Sequence, residues 1–325
     1  MTAFAKARVF GPGAEAFLDH LVANRIPKKI GRVNLCHALN SRGGVHSEFT
    51  ILREGPQSFY LVSAGAWQRL DHDWLLRRMP ADGSVQFQNL TGAMGVLVVA
   101  GPKARQLLER VSDADFSNDA FSWLTGREIV VGMAPAKALR VNFVGELGWE
   151  LHHGLEYQNH IFDALMEAGA DLGLAPFGIR AMDSLRLEKS YRLIGTELSI
   201  EYAAYESGLD RFVHPDKGDF IGRDALLAWR ERGFLNAFVT LEVHDVTDAD
   251  PLGNNPIYDG GGKLVGRATG GNYGFRVEKS LALAMVRPEL SVPGTELEMG
   301  ILGTRHRVTV IPESPYDPEN LRLRA

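Results

Sequence analysis

The sequence predicts an α+β protein in which two repeated α/β halves with antiparallel sheets are followed by a small C-terminal β-barrel. The first observation is an internal repeat, because RVFGPGAEAFLDHLV (8–22) parallels VVAGPKARQLLERV (98–111). Each copy has an apolar strand, a Gly-Pro turn and a helix whose leucines cluster at helical spacing. The second observation is that short strand patterns and glycine turns replace the helical patterns from residue 235 onward.

The elements follow the same order in both halves, which lie at about 1–80 and 90–170. After each repeated strand–helix unit, glycines join two predicted strands. A helix then closes each half. These segments are the strand pairs 32–51 and 137–154 and the helices 66–79 and 157–169.

A helical segment, 176–234, completes the first predicted domain, 1–234. Pro176 suits a helix start, so one helix is expected from there to Leu193, and 217–233 ends the segment as a second helix. The second predicted domain, 235–325, is the barrel. Its expected strands are 235–243, 263–275, 280–287, 295–302 and 305–311.

Composition limits the possible functions. The 325 residues carry a formal net charge of −5, which argues against a general nucleic-acid surface. Cys36 is the single cysteine, so no internal disulfide and no cysteine-based zinc site is expected, and no other metal pattern is apparent. No apolar run approaches the roughly 18 residues that a membrane helix needs. A cytoplasmic protein that contacts no membrane is therefore the expectation.

Two carboxylates occupy related places in the repeat. Glu48 lies in the strand after Gly43-Gly44, and Glu150 lies in the strand after Gly148. Both are an even number of residues from the nearer glycine, so matching turns would place both side chains on the same side of their sheets. A ligand could then lie between the halves with one acid at each end.

The segment LRVNFVGELGWEL (139–151) has the alternation and glycine turn of a β-hairpin. Such a hairpin places Glu150 beside Trp149 and opposite Phe143. A carboxylate flanked by aromatic rings suits a flat, nitrogen-rich ring such as a pterin, which stacks and donates paired N–H groups. The alternative is an ordinary hairpin with Glu150 in water.

The same segment resembles the folate-binding hairpin of the glycine-cleavage T-protein (aminomethyltransferase) superfamily. Further matches lie in order along the chain, and the last three look most like the folate domain of dimethylglycine and sarcosine dehydrogenases. They are RGGVHSEFTI (42–51), VLVVAGPKA (96–104), MDSLRLEKSYRLIG (182–195), ESGLDRFVHPDKGDFIGRDALL (206–227) and EKSLALAMV (278–286).

The resemblance implies roles for three residues. Glu48 stands where the family has a catalytic aspartate, and His46, two residues away on the strand, is expected to point the same way. Glu150 would accept hydrogen bonds from the amino and ring N–H groups of the pterin. Phe143 replaces the family's hairpin tyrosine, which keeps the stacking surface and loses a hydroxyl.

Two further positions concern the rest of the ligand. Trp123 falls where the family has an aromatic residue lining the pocket, with core packing as the alternative. Met182 replaces an arginine that is thought to reach the folate in the T-protein, and Arg180 is a candidate substitute.

The resemblance also implies a reaction that uses tetrahydrofolate. The first hypothesis is a one-carbon transferase that passes a methylene unit from an amine or iminium to tetrahydrofolate, with an upstream flavin-dependent oxidase domain or subunit as partner. The second is a demethylase that moves a methyl group from a sulfonium, ether or quaternary amine. The third is a folate-binding regulatory protein without enzyme activity. The sequence leaves the one-carbon donor open.

Overall fold

The structure is a computed structural model that describes residues 4–246 and 248–325. Its first half is an antiparallel sheet in the order β2-β3-β4-β1-β5 with two helices on one face. The strands are β1 (Phe4–Phe10), β2 (Val33–Leu39), β3 (Val45–Gly55), β4 (Ser58–Ala64) and β5 (Gln86–Asn89), and the helices are α1 (Ala14–Leu21) and α2 (Gln68–Leu76).

The second half repeats this arrangement in a four-stranded antiparallel sheet of order β6-β9-β8-β7. Its elements are β6 (Met94–Ala100), α3 (Ala104–Val111), β7 (Gly126–Val131), β8 (Ala134–Leu139), β9 (Gly148–Gly154) and α4 (Gln158–Ala168). Each half therefore has three strands between its two helices, where the sequence indicated two. The missed strands, β4 and β7, are no shorter than β2 and β8, respectively, but lack a glycine pair to mark them.

The helices cover only one face of each sheet. In the first half, Phe49, Phe59 and Leu61 pack with α1 and α2, and the matching core of the second half packs with α3 and α4. The opposite, helix-free faces meet each other, because Leu52 and Tyr60 of the first sheet share an apolar cluster with Leu139 of the second. Strand alternation thus creates a layer between the halves that contains no helix.

The segment after the repeat is less helical than the sequence indicated. Helix α5 covers Ile179–Leu187 and α6 covers Arg223–Arg232, both shorter than expected. Ser190 has a left-handed φ of 54°, and Gly222 has φ 85° just before α6, so the backbone turns at both points. The irregular chain between the helices packs against the end of the first sheet, where Phe212 meets the ring of His37 edge-on.

The C-terminal part is a closed antiparallel barrel, as the sequence predicts. Its strands are β10 (Ala237–Val243), β11 (Pro256–Tyr258), β12 (Leu264–Gly274), β13 (Lys279–Val286), β14 (Glu296–Ile301) and β15 (Thr304–Ile311). The predicted boundary between residues 234 and 235 falls between α6 and β10 and stays a prediction. In the described part of the chain, no helix is both long and apolar enough to cross a bilayer.

Candidate functional site

The first candidate acid, Glu150, lies on the helix-free face of the second sheet. Glu150 is only 7% exposed. Its Oε2 is 3.0 Å from Nε2 of His152, which is two residues further along β9 and so points to the same side. The other ring nitrogen of His152, Nδ1, is 3.0 Å from the hydroxyl of Tyr60 on β4. A buried chain of hydrogen bonds therefore joins Glu150 to the first half.

Burial determines the charge of two groups in this chain of hydrogen bonds, His152 and Tyr60. It lowers the pKa of His152 despite the hydrogen bond and charge of Glu150, so the imidazole is neutral at pH 7. Burial also raises the pKa of the Tyr60 hydroxyl, and the charge of Glu150 acts in the same direction. Tyr60 is therefore a neutral phenol with one proton to donate.

The second candidate acid, Glu48, lies on the helix-free face of the first sheet. It is the cross-strand partner of His37 on β2, and its Oε2 is 3.0 Å from Nε2 of that histidine. His37 is fully buried, and its Nδ1 has no hydrogen-bond partner among the described residues. The Glu48 side chain is 24% exposed, which leaves its carboxylate accessible from one side.

The expectation that His46 points the same way as Glu48 is wrong. The pairing of β2 with β3 shifts register between Ala38 and Leu39, so the alternation of side chains is interrupted at this point. The His46 ring stacks on Trp74 of α2 at 3.9 Å and hydrogen-bonds Ser47. It is His37 that contacts Glu48.

Both acids lie on the facing, helix-free sides, but they do not occupy equivalent places in the repeat. Glu48 is on β3, whereas Glu150 is on β9, which corresponds to β4 in the first half. The residues before the two Gly-Pro turns pair with Ser58 and Gly148, so Tyr60 occupies the position equivalent to Glu150. The acids are therefore not repeat equivalents, and their common orientation comes from strand alternation within each sheet.

The hairpin around Glu150 exists, but its aromatic residues lie elsewhere than expected. Glu150 pairs with Leu139, and Phe143 belongs to the loop 140–147 rather than to a strand. The Phe143 ring stacks on Tyr191 with centroids 5.7 Å apart. The expectation that Trp149 flanks the ligand is wrong, because neighbouring strand residues point to opposite faces and Trp149 is fully buried in the helix-side core.

The remaining predicted residues lie at the edge of the molecule. Trp123 is half-buried, its carbonyl accepts a hydrogen bond from Arg32 at 3.2 Å, and the guanidinium of Arg324 covers its ring at 4.7 Å. Arg180 is exposed in the first turn of α5. Neither residue has a hydrogen bond or an ion pair with Glu150 among the described contacts, so their roles in binding stay predictions.

Sequence reasoning missed four residues of the candidate site: Tyr60, His37, His152 and Tyr191. Of these four, only His152 could have been found from the sequence, because a histidine two positions after an acid on a strand lies on the same face as that acid. The other three contact their partners across strands or segments that only the folded chain brings together.

Comparison with known proteins places this architecture in a family. The model of the GCVT N-terminal domain matches residues 1–217, and the glycine cleavage T-protein C-terminal barrel domain matches residues 236–317. The chain belongs to the glycine cleavage T-protein family.

The chain is similar to several characterised proteins. It is 37% identical over 315 residues to human mitochondrial dimethylglycine dehydrogenase, a match that covers 96% of this chain and 36% of that protein. It is 33% identical over 329 residues to 4-methylaminobutanoate oxidase (formaldehyde-forming) of Paenarthrobacter nicotinovorans, covering 100% of this chain and 39% of that one. The chain thus spans well under half the length of these relatives.

Shorter relatives match over most of their length. Aminomethyltransferase of Bacillus mycoides (strain KBAB4) is 29% identical over 313 residues, which cover 96% of this chain and 84% of that protein. The crystal structure of the glycine cleavage system aminomethyltransferase T from Bartonella henselae has a TM-score of 0.86 at 23% identity, covering 98% of this chain and 85% of that one. The fold is therefore that of the T-protein.

Proposed function

We propose that this chain binds tetrahydrofolate and transfers a methylene unit to it from an amine or iminium donor, giving 5,10-methylenetetrahydrofolate. The observation that carries the proposal is the pair Glu48 and Glu150. One acid comes from each half, both lie on facing helix-free surfaces, and each is hydrogen-bonded to a buried histidine. Relatives named aminomethyltransferase, which match along most of their length, support the same reaction class.

Glu150 is the proposed recognition residue for the pterin. A buried carboxylate can accept two parallel N–H bonds, which are stronger than bonds between neutral groups. The stacked rings of Phe143 and Tyr191 offer a flat apolar surface beside the loop that leads into β9. Trp123 and Arg180 stay candidates for contacts with the rest of the folate.

Glu48 is the proposed acid–base residue. The N5 atom of the folate attacks the one-carbon unit, and ring closure through N10 breaks the bond to the donor nitrogen and releases the amine. The carboxylate of Glu48 stabilises the positive charge of the iminium, accepts the proton that N5 loses after its attack, and passes it to the leaving nitrogen. The proton that N10 loses on ring closure is released to solvent. His37 holds that carboxylate from the neighbouring strand.

The donor must arrive in an oxidised form, because an N-methyl amine becomes an iminium only by losing a hydride. A flavin-dependent amine oxidase, as a further domain or a separate subunit, is the proposed partner that removes it. The similarity to dimethylglycine dehydrogenase, which is much longer than this chain, supports this partner.

Identification of the folate product tests the proposal. The chain is incubated with tetrahydrofolate and either dimethylglycine, sarcosine or a sulfonium donor, first without an oxidase and then with a flavin amine oxidase. We expect 5,10-methylenetetrahydrofolate only with the oxidase. Formation of 5-methyltetrahydrofolate without it would contradict the proposal and favour direct methyl transfer.

Two variants of Glu48 test whether its carboxylate takes part in the transfer, and each serves as the control for the other. Glu48→Gln should slow transfer by about 10²–10⁴, the usual effect of losing an acid–base group, while leaving folate affinity nearly intact. Glu48→Asp should keep a measurable part of the activity because it retains the carboxylate. A Gln variant that turns over at the wild-type rate would remove Glu48 from the mechanism.

A further inference from the structure

Three buried side chains form a continuous hydrogen-bonded chain between the two halves. Tyr60 belongs to β4 of the first half, and His152 and Glu150 belong to β9 of the second. Tyr60 and His152 are both 0% exposed, and each of the two hydrogen bonds is 3.0 Å long. A buried chain of this kind has few alternative arrangements, because water cannot replace a missing partner.

The positions of the protons follow from the chemistry of the three groups. A neutral imidazole has one N–H and one lone pair. If Glu150 is ionised, Nε2 of His152 carries the proton and donates to it, and the Tyr60 hydroxyl donates to Nδ1. The reverse tautomer requires a protonated Glu150 and turns the Tyr60 hydroxyl toward the sulfur of Met94, 3.8 Å away. Sulfur is a weak acceptor, so the tautomer in which Tyr60 donates to Nδ1 and Nε2 donates to Glu150 is favoured.

The other histidine–acid pair lacks this arrangement. Nε2 of His37 contacts Glu48, but its Nδ1 meets no hydrogen-bonding group among the described residues. An ionised Glu48 also requires the proton on Nε2 of His37, but among the described residues no hydroxyl supports that tautomer from the Nδ1 side. The two acids thus have different surroundings: a hydroxyl fixes the histidine that holds Glu150, whereas the histidine that holds Glu48 has no such support among the described residues.

We propose that Tyr60 and His152 are positioning residues that hold the Glu150 carboxylate in the orientation that accepts the N–H groups of a reduced pterin. This inference rests on the proposed function, since it gives Glu150 a ligand. It adds that recognition of the ligand by the second half depends on a hydroxyl supplied by the first half. The hydroxyl acts through His152 and does not touch the ligand.

The first test is a double-mutant cycle with tetrahydrofolate as the probe, measured by anaerobic calorimetry. Tyr60→Phe should weaken binding by about three- to thirty-fold, the range expected for one lost buried hydrogen bond, and change kcat less than two-fold. His152→Leu should weaken binding at least as much. Because Tyr60 acts through His152, adding Tyr60→Phe to His152→Leu should have no further effect.

Two further variants separate positioning from general loss of structure. His152→Gln keeps an N–H donor near Nε2 and should recover part of the affinity that His152→Leu loses. Tyr202→Phe removes another buried tyrosine hydroxyl, which contacts Arg267 instead, and should leave folate affinity unchanged. Equal weakening by Tyr60→Phe and Tyr202→Phe would overturn the proposal.

A spectroscopic measurement reports on the tautomer without any ligand. The ¹⁵N shifts of the His152 ring should show the proton on Nε2 in the wild type. A proton on Nδ1, or a folate affinity that Tyr60→Phe leaves unchanged, would overturn this inference while the proposed function stands. A wild-type chain that binds no tetrahydrofolate would overturn the proposed function, and the role of Tyr60 and His152 with it.

Discussion

At the scale of single residues, each acid of the candidate site is hydrogen-bonded to a histidine, Glu48 to His37 and Glu150 to His152. Alternation along a strand determines which face a side chain occupies, but the repeat parity that predicts a common face for Glu48 and Glu150 compares strands that do not correspond. The pairing of Glu48 with His37 depends on the register of β2 against β3, which a single sequence does not specify. Trp149 is adjacent to Glu150 in the sequence but lies on the opposite face of β9, because successive strand residues point to opposite faces.

Asp71 of α2 is a buried acid whose charge is linked to that of Glu48. Burial raises the pKa of Asp71 to about 6, with a smaller contribution from the charge of Glu48, while the hydroxyl groups of Ser63 and Ser47 oppose the rise. Because the folded state holds this proton more tightly than the unfolded state, stability is lost as pH rises from about 4 through 6.

Asp71→Asn should abolish that loss, because the amide carries no charge at any pH. Relative to the wild type, the free energy of unfolding of the variant should rise by about 1–3 kcal/mol between pH 4 and pH 8, as measured by urea denaturation. In a Glu48→Gln background the wild-type Asp71 transition should move to lower pH. A difference between Asp71→Asn and wild type that does not vary with pH would contradict this account.

At the scale of elements, the loop 140–147 is held by residues from three separate parts of the chain. Asn142 accepts hydrogen bonds from the backbone of Val144 and Gly145 within the loop. Arg276, in the turn between β12 and β13, binds Glu146 at 2.9 Å. The hydroxyl of Tyr316, in the C-terminal tail, donates to the same carboxylate. The loop that carries Phe143 is thus fixed by the barrel and the tail.

The loop also shows what a single sequence could not provide. The hairpin, the Gly-Pro repeat and the barrel were predictable because they are local patterns of period and turn. The contacts of Glu146 with Arg276 and Tyr316 join positions 130 and 170 residues apart. Strands β4 and β7 are likewise not indicated by the sequence. Once they are included, the strand of the first half that corresponds to β9 is β4 and not β3.

Arg276→Ala should destabilise the protein strongly. The same guanidinium also binds Glu188, whose side chain is fully buried, so the substitution leaves a buried carboxylate without its charged partner. We expect a loss of about 2–4 kcal/mol in the free energy of unfolding, measured by guanidinium denaturation. Arg305→Ala, which breaks an exposed ion pair with Glu298 in the same barrel, should cost much less. Equal losses of unfolding free energy in the two variants would show that the contacts of Arg276 contribute no more to stability than an exposed ion pair does.

At the scale of the whole molecule, polar contacts join the two halves as well as apolar ones. Lys137 of β8 forms an ion pair with Glu54 of β3, and Arg8 of β1 binds the same carboxylate at 2.7 Å. The Lys137 ammonium also lies 4.5 Å from the centre of the Tyr60 ring. A ligand held between Glu48 and Glu150 would contact both halves. Ligand binding should therefore be thermodynamically linked to the association of the two halves.

Lys137→Met tests that linkage, since methionine keeps the packing on Tyr60 and removes the charge. The variant should lose about 1–3 kcal/mol of unfolding free energy, because Glu54 retains Arg8 but not its partner across the halves. Lys28→Met, which breaks an exposed pair with Glu15 within the first half, is the matched control and should lose much less.

Tetrahydrofolate at about 100 times its dissociation constant should then restore roughly 2.7 kcal/mol to the Lys137→Met variant by mass action. Since the ligand contacts both halves, calorimetry should show a single unfolding transition that moves to higher temperature as a whole. Two transitions of which folate shifts only one would place the ligand within one half. That outcome would separate Glu48 from Glu150 and leave only the acid of the stabilised half in the folate site.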